Sequence, residues 1–298
     1  MIKRKKIEGI QFAIVNYTVF YVFALICIFP FYYIIINTIS DNTLVARGHI
    51  LFLPSGFHLT NYAQVFRISG LLQATFISVA RTLIGTIFSI ISASFVGYAM
   101  TKKEFWHRKF WYRYFIITMY FNAGIIPWYM TMLTLGLHNN FLAYVLPALT
   151  VPFYMILVKT YIESIPSSLE ESAEIDGAGY LRRYFSIVFP ISKPIIATVA
   201  IFAAVGQWNS FVDTVFLITN KDLYTLQFLL YRFLNESALL AEQMRRNPSF
   251  ADVSAAKMLT PVAIRFTVTA IVVLPVLLIY PIFQKHFVKG IMIGAIKG

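Results

Sequence analysis

The sequence predicts an all-α membrane protein with six transmembrane helices, and three observations predict it. Of the 298 residues, 58% are hydrophobic and only 13% are charged, about half the charged share of an ordinary soluble domain, and the mean hydropathy is +0.70. The apolar residues lie in long unbroken runs rather than in period-two alternation, and in lipid only helices and closed barrels satisfy every backbone group, so helices are selected over a barrel. Lys and Arg are largely gathered in short segments flanking those runs, the pattern that sets orientation in a bilayer.

The net charge of +12 therefore reads as topology, and no nucleic-acid partner is expected. Cys27, the single cysteine, lies inside the first run, which leaves neither a disulfide framework nor a cysteine metal site. No metal is expected.

Runs of roughly 20 apolar residues, enough to cross the hydrocarbon core, occur at about 12–37, 71–100, 111–134, 140–161, 194–216 and 261–284. The first follows Lys3-Arg4-Lys5-Lys6 and continues past signal-peptide length to about Ile36 without a small-x-small cleavage site, so it reads as an uncleaved span. Basic residues recur at Lys102, Lys103, Arg108 and Lys109, at Arg182, Arg183 and Lys193, and at Lys285, Lys289 and Lys297. These clusters alternate with the spans and assign both termini to the cytoplasm.

Outside fall residues 38–70, the link around Gly136-Leu137-His138-Asn139-Asn140, and residues 217–260. The first carries the turn signal Pro54-Ser55-Gly56, and the third has an amphipathic stretch near 223–244 before Arg245-Arg246-Asn247-Pro248. Both predict short helices at the outer membrane surface. With no internal repeat and no linker, residues 1–298 read as one membrane domain.

Residues 163–193 interrupt the apolar pattern with Glu170, Glu171, Glu174, Asp176, Arg182 and Arg183. Pro166 halts the preceding helix, and Ser167 with Glu170, repeated by Ser168 with Glu171, has capping-box spacing. Acidic residues in the first turns suit the positive end of a helix dipole. Gly177 and Gly179 supply a stop before a second short helix that begins at Tyr180 and ends near Pro190. The segment thus predicts a helical hairpin on the inner face of the membrane. Ala173 and Gly177, beside Ser172, form a patch almost free of side chains and ringed by carboxylates, open to another protein's ridge.

Glu171-Ser172-Ala173, three residues, Gly177, nine residues, then Ile187-Val188-Phe189-Pro190 resembles the EAA loop of ABC importer permeases, with Ser172 and Phe189 as mild departures. The resemblance implies the type I importer permease fold of the MetI-like kind, in the bacterial plasma membrane. It makes the hairpin a coupling helix seated in a cleft of an ATPase subunit, with Glu171, Ser172, Ala173, Asp176, Gly177, Ile187 and Pro190 as its coupling residues. "LPSGFHLTNY", "WNSF" and "KHFVKGIMIGAIKG" look like the carbohydrate-uptake branch, specifically the six-span partner of the maltose-permease type. "NAGIIPWYM" and "LEESAEIDGAG" look like importers of complex or acidic oligosaccharides from alginate or pectin. The implied partners are a second homologous permease, two ATP-binding cassette subunits, an extracytoplasmic binding protein and membrane lipids. ATP and Mg would be used by the partner subunits, with no cofactor on this chain.

Polar groups within the spans need an account, because an ionisable or amide side chain in lipid is costly unless it faces a cavity or a partner. Arg81, Asn122, Gln207, Trp208, Asn209 and Asp213 are the candidates for the substrate pathway. An amide beside an indole suits a sugar, whose hydroxyls want donors and acceptors and whose apolar face stacks on a ring; the same amides also serve as glue between helices. Arg81 either pairs with a uronic carboxylate or makes a structural pair with Asp213 or a backbone carbonyl. Arg47, Arg67, Arg232, Arg245 and Arg246 either meet acidic lobes of a binding protein or are simply solvated. The tail from Lys285 to Lys297 suits anionic headgroups or insertion beside the ATPase.

The sequence has no G-x-x-x-x-G-K-[ST] phosphate loop, and Gly177-Ala178-Gly179 lacks the third glycine and preceding strand of a dinucleotide fingerprint. A non-catalytic subunit is expected. The competing class is an ion-coupled secondary transporter, for which Asp213 is the only embedded carboxylate, and it lies near a span's mouth. His138 and His49 fall in outer segments and His107 and His286 in inner ones, so no histidine-carboxylate enzyme site forms within a span.

Overall fold

The computed structural model describes residues 2–246 and 262–278, all helical or irregular, with no strand among them. They fall into two compact units, drawn from Met1–Ile68 with Arg232–Leu274 and from Ser69–Tyr231 with Pro275–Gly298.

In the first unit, helix α1 (Ile2–Thr38) contains the apolar stretch Phe12–Thr38 of 27 residues, about 40 Å at helical rise and enough to cross a bilayer. Its side chains from Val15 to Phe29 are exposed, an apolar surface that needs lipid or a partner to cover it. The hydroxyls of Thr38 and Ser40 donate to the carbonyls of Ile35 and Ile36 at 2.7 and 2.6 Å, closing the helix end. Asp41 then caps α2 (Asn42–Ala46), accepting from the amides of Thr43 and Leu44, and α3 (Thr60–Phe66) follows. Buried Asn61 donates to the Thr38 carbonyl at 2.9 Å, so the segment after α1 folds back on the helix end. Ile36, Val45 and Ile50 pack there with Val262 and Phe266.

The second unit is built on α4 (Leu71–Ala99), among the described residues the other helix long and apolar enough to cross alone. Its buried stripe runs Ile77, Arg81, Gly85, Ser89, Ala93 and Gly97, a four-residue repeat in which small side chains let neighbouring backbones approach. Next come α5 (Arg108–Tyr120) and α6 (Ile125–Thr134), then turns of 3-10 helix at Phe141–Tyr144 and Leu146–Ala148 and α7 (Pro152–Ile162). The hairpin comprises α8 (Ser168–Ile175), α9 (Tyr180–Arg183), a π turn at Tyr184–Val188 and α10 (Phe189–Ile191). It leads into α11 (Lys193–Asn209), α12 (Val212–Leu217) and a 3-10 turn at Lys221–Leu223. Helix α13 (Leu226–Arg246) lies on the predicted amphipathic stretch. The sixth apolar run is described as α14 (Val262–Leu278); residues 279–284 and the basic tail lie outside the described residues.

The third, fourth and fifth apolar runs are not single helices. Phe121–Gly124 divides the third, where the Asn122 carboxamide accepts from the Gly124 amide at 2.9 Å and Gly124 has φ +87°. Pro147 and Pro152 break the fourth, whose halves Phe141–Ala148 and Pro152–Ile162 meet at 45°. The fifth breaks at Ser210 and Phe211. Tyr180–Ile191 and Lys193–Asn209, bent by 79°, are together apolar enough to span, as is the bent pair of the fourth run.

A Cβ on Gly97 would lie 3.1 Å from the Met155 carbonyl and 3.2 Å from the Lys159 amide, so α4 and α7 touch backbone to backbone. Gly97→Leu is expected to cost about 1–3 kcal/mol by overpacking, read as a lower unfolding temperature of the detergent-solubilised protein.

Candidate functional site: a docking hairpin and a walled pocket

The hairpin turn closes as the glycine spacing predicts. Gly177 has φ +80°; its amide donates to the Glu174 carbonyl and the Ala178 amide to the Ala173 carbonyl, both at 2.9 Å. This is the Schellman pair of bonds, which demands a left-handed residue. The capping box, in contrast, does not form. Ser167 has helical dihedrals (φ −59°, ψ −28°) and its side chain caps nothing. Glu170 turns instead to the end of α4, accepting from the Tyr98 hydroxyl at 3.0 Å and from the ammonium of Lys102 in the turn just after that helix; a charge-assisted bond outweighs the reciprocal bond of a cap.

Other contacts seat the same hairpin. Lys102 lies over the Tyr98 ring at 4.4 Å. Buried Tyr184 donates to the Ser94 hydroxyl at 2.7 Å with Phe95 and Tyr98 against its ring. Arg183 pairs with Glu174 at 2.7 Å and faces the Tyr180 ring. Glu171, Ser172, Asp176 and Gly177 remain exposed, with Ala173 half-buried between them. Ile175 is 87% exposed at the tip, a bare apolar side chain that the charge pattern around it hides in the sequence. Ile187 is half-buried and Pro190 exposed, so these two belong to the root of the hairpin rather than its tip.

At the other end of α4 lies a cavity of about 240 Å³ whose walls include Arg81, Trp128, Tyr144, Tyr154, Gln207 and Asp213. Arg81 is fully buried. Its Nη2 meets Asp213 Oδ2 at 2.6 Å and its Nη1 meets Oδ1 at 3.1 Å. Nε and Nη2 donate to Gln207 Oε1 at 3.2 and 3.1 Å, and Nη1 also reaches the Ser210 carbonyl at 3.2 Å. The guanidinium lies 4.4 Å from the Tyr144 ring centroid. Gln207 in turn donates to the Tyr144 carbonyl at 3.2 Å, and the Tyr144 hydroxyl donates to the Leu223 carbonyl at 2.6 Å.

Of the sequence candidates, the fold brings Arg81, Gln207 and Asp213 together. Asn122 sits in the exposed turn before α6, Asn209 is exposed and Trp208 is half-buried, and none of the three lines the cavity. Trp128 and Tyr154 do line it, and the polar residues that stand out in a span do not point to them; the Trp128-Tyr129 pair in "NAGIIPWYM" is the available signal. Among the outer arginines, Arg232 pairs with Glu236 at 3.0 Å.

Residues 85–293 match the family model for the binding-protein-dependent transport system inner membrane component. The chain is 32% identical over 276 residues to the polygalacturonan/rhamnogalacturonan transport system permease protein YtcP of Bacillus subtilis (strain 168), covering 93% of this chain and 94% of that one. It is 33% identical over 273 residues to Protein LplC of the same organism, covering 92% and 90%. Among solved structures, a chain from the crystal structure of a bacterial ABC transporter involved in the import of the acidic polysaccharide alginate superposes with a TM-score of 0.82 at 28% identity, covering 93% of this chain and 96% of that chain.

Proposed function

We propose, from the premise that the chain belongs to the binding-protein-dependent transport system inner membrane component family, that it is the permease subunit of an ABC importer for complex or acidic oligosaccharides. The observation that carries this reading is the exposed hairpin, which offers a partner Glu171, Ser172, Ala173, Asp176 and Gly177 while the rest of the segment is fastened to α4. A loop held so firmly yet bare at its tip is a handle. The relatives' names support the acidic substrate class: polygalacturonan or rhamnogalacturonan for one, alginate for the solved transporter.

In this reading the chain forms half of a translocation path with a second homologous permease. Two ATPase subunits bind ATP and Mg and grip one such hairpin each from the cytoplasm, and an extracytoplasmic binding protein delivers the sugar. Both termini are cytoplasmic, Ile187 and Pro190 fix the root of the lever, and the cavity beside Arg81, Gln207 and Asp213 lies on the path. Nucleotide-driven closure moves the hairpin as a rigid body and switches the spans between two discrete packings, the requirement for alternating access. An ion-coupled carrier is the poorer reading, because Asp213 is bound to Arg81 at 2.6 Å.

Purification of the tagged protein from its native membrane is expected to bring an ATPase and a second permease with it. In proteoliposomes that complex is expected to take up oligosaccharide only with ATP and the binding protein. Accumulation by this chain alone under an ion gradient would refute the reading.

A further inference from the structure

We infer that Arg81 and Asp213 form an internally neutralised pin that sets the pocket wall, and that the pocket reads the uncharged face of a saccharide through Trp128 and Tyr154. The inference rests on the reading of the chain as a saccharide permease. It assigns Arg81 a positioning role and not that of a ligand for a substrate carboxylate.

A guanidinium has five N–H donors in a fixed fork, and here each has an acceptor: one from Nε to Gln207, two from Nη1 to Asp213 and Ser210, and two from Nη2 to Asp213 and Gln207. A substrate carboxylate would have to evict Asp213, whose side chain is only 13% exposed, leaving that charge buried without its partner. The ring of Tyr144 covers a face of the cation at 4.4 Å.

The backbone is shaped to hold this arrangement. A Cβ on Gly85 would come 2.4 Å from Gln207 Nε2 and 2.7 Å from its Cδ, so α4 lacks a side chain where the amide must lie. The amide cannot swing aside freely, because its oxygen accepts twice from Arg81 and its nitrogen donates to the Tyr144 carbonyl. Five segments are thereby joined: α4, the turn at Phe141–Tyr144, α11, the loop at Ser210 and α12 with Asp213.

The remaining lining is suited to a neutral sugar surface. Trp128 and Tyr154 are half-buried in the wall, rings on which the apolar face of a pyranose stacks. The Tyr154 hydroxyl makes no hydrogen bond among the described residues and lies 4.0 Å from where a Cβ on Gly206 would be. It is therefore available to a sugar hydroxyl.

The test uses the whole transporter in proteoliposomes, with trigalacturonate and its fully methyl-esterified form as probes, and thermal unfolding of the same complexes. Arg81→Met and Asp213→Leu are each expected to lower the unfolding temperature and to reduce uptake of both probes by about tenfold or more, while the double variant recovers to within about threefold of wild type with the acid-to-ester ratio unchanged. Trp128→Ala is expected to lower uptake of both probes alike. Selective loss of the free acid in Arg81→Met and in the double variant would overturn the inference.

If the wild-type complex carries neither probe, the substrate reading fails and the pin is judged on unfolding alone. A double variant that unfolds no later than the single variants would then refute it, and one that unfolds later than both would uphold it. Should the charge variants not assemble, Gly85→Ala disturbs Gln207 without changing a charge. A lower unfolding temperature upholds the pin, an unchanged one refutes it.

Discussion

Gly177→Asp is expected to reduce uptake to background while the protein still inserts and folds, and Glu171→Lys is expected to do the same. The left-handed conformation at Gly177, φ +80°, costs an ordinary residue about 1–2 kcal/mol, and aspartate is among the residues that tolerate it best. A Cβ there meets nothing within 4 Å, so no neighbour within the chain has to move. Whatever the variant loses must be lost at a partner's surface. The added carboxylate stands beside Glu171, Glu174 and Asp176, and burying it unpaired under an ATPase would cost about 3 kcal/mol or more, roughly a hundredfold in docking. Gly177→Asn keeps the backbone tolerance without the charge and is expected to fall between wild type and Gly177→Asp. Uptake and ATPase co-purification together decide the matter: full uptake by Gly177→Asp would remove the docking role.

The parts of this fold that are legible in the sequence are those governed by local composition. Helices α1 and α4 follow continuous apolar runs with polar residues at their ends, and the turn at Gly177 follows from a glycine spaced to accept a Schellman closure. The interruptions within later runs are hidden because apolar composition continues across Phe121–Gly124 and Ser210–Phe211, so length alone reads a straight span where the backbone breaks. Contacts distant in sequence are hidden more deeply. Ser167 and Glu170 have the right spacing for a cap, yet Lys102, 68 residues earlier, takes the carboxylate. Arg81 and Asp213, 132 residues apart, could be proposed as a pair from their depths in two spans, but so could a carboxylate-binding Arg81; only the count of satisfied donors separates the two. Tyr154 carries no mark in a chain with 18 tyrosines, and Trp128 has only its place in "NAGIIPWYM"; the cavity brings the two together.

Glu170→Lys is expected to uncouple transport, leaving ATP hydrolysis by the assembled complex and removing uptake. Glu170 is next to Glu171 in sequence but serves the opposite side of the hairpin: its carboxylate meets Tyr98 on α4 and Lys102 just after it, with both charged side chains less than one-fifth exposed. Reversal replaces an attraction by two ammonium groups at close quarters. At about 4 Å and an effective dielectric constant of about 20, that repulsion is about 4 kcal/mol, less whatever the two lysines relieve by swinging toward water. It also deprives the Tyr98 hydroxyl of its carboxylate acceptor. The docking face is untouched, so the ATPase still finds its handle, but the handle loses its ionic fastening to the end of the helix that carries Arg81 and is left with the contacts of Tyr184. The second change, Lys102→Glu, restores opposite charges in swapped order and is expected to return a substantial part of the uptake. Recovery in the swapped pair distinguishes a broken fastening from a damaged docking face, because a Glu170 that served the ATPase directly would gain nothing from a change at Lys102. Wild-type coupling in Glu170→Lys alone would mean that Tyr184 and its aromatic neighbours suffice to hold the hairpin to α4.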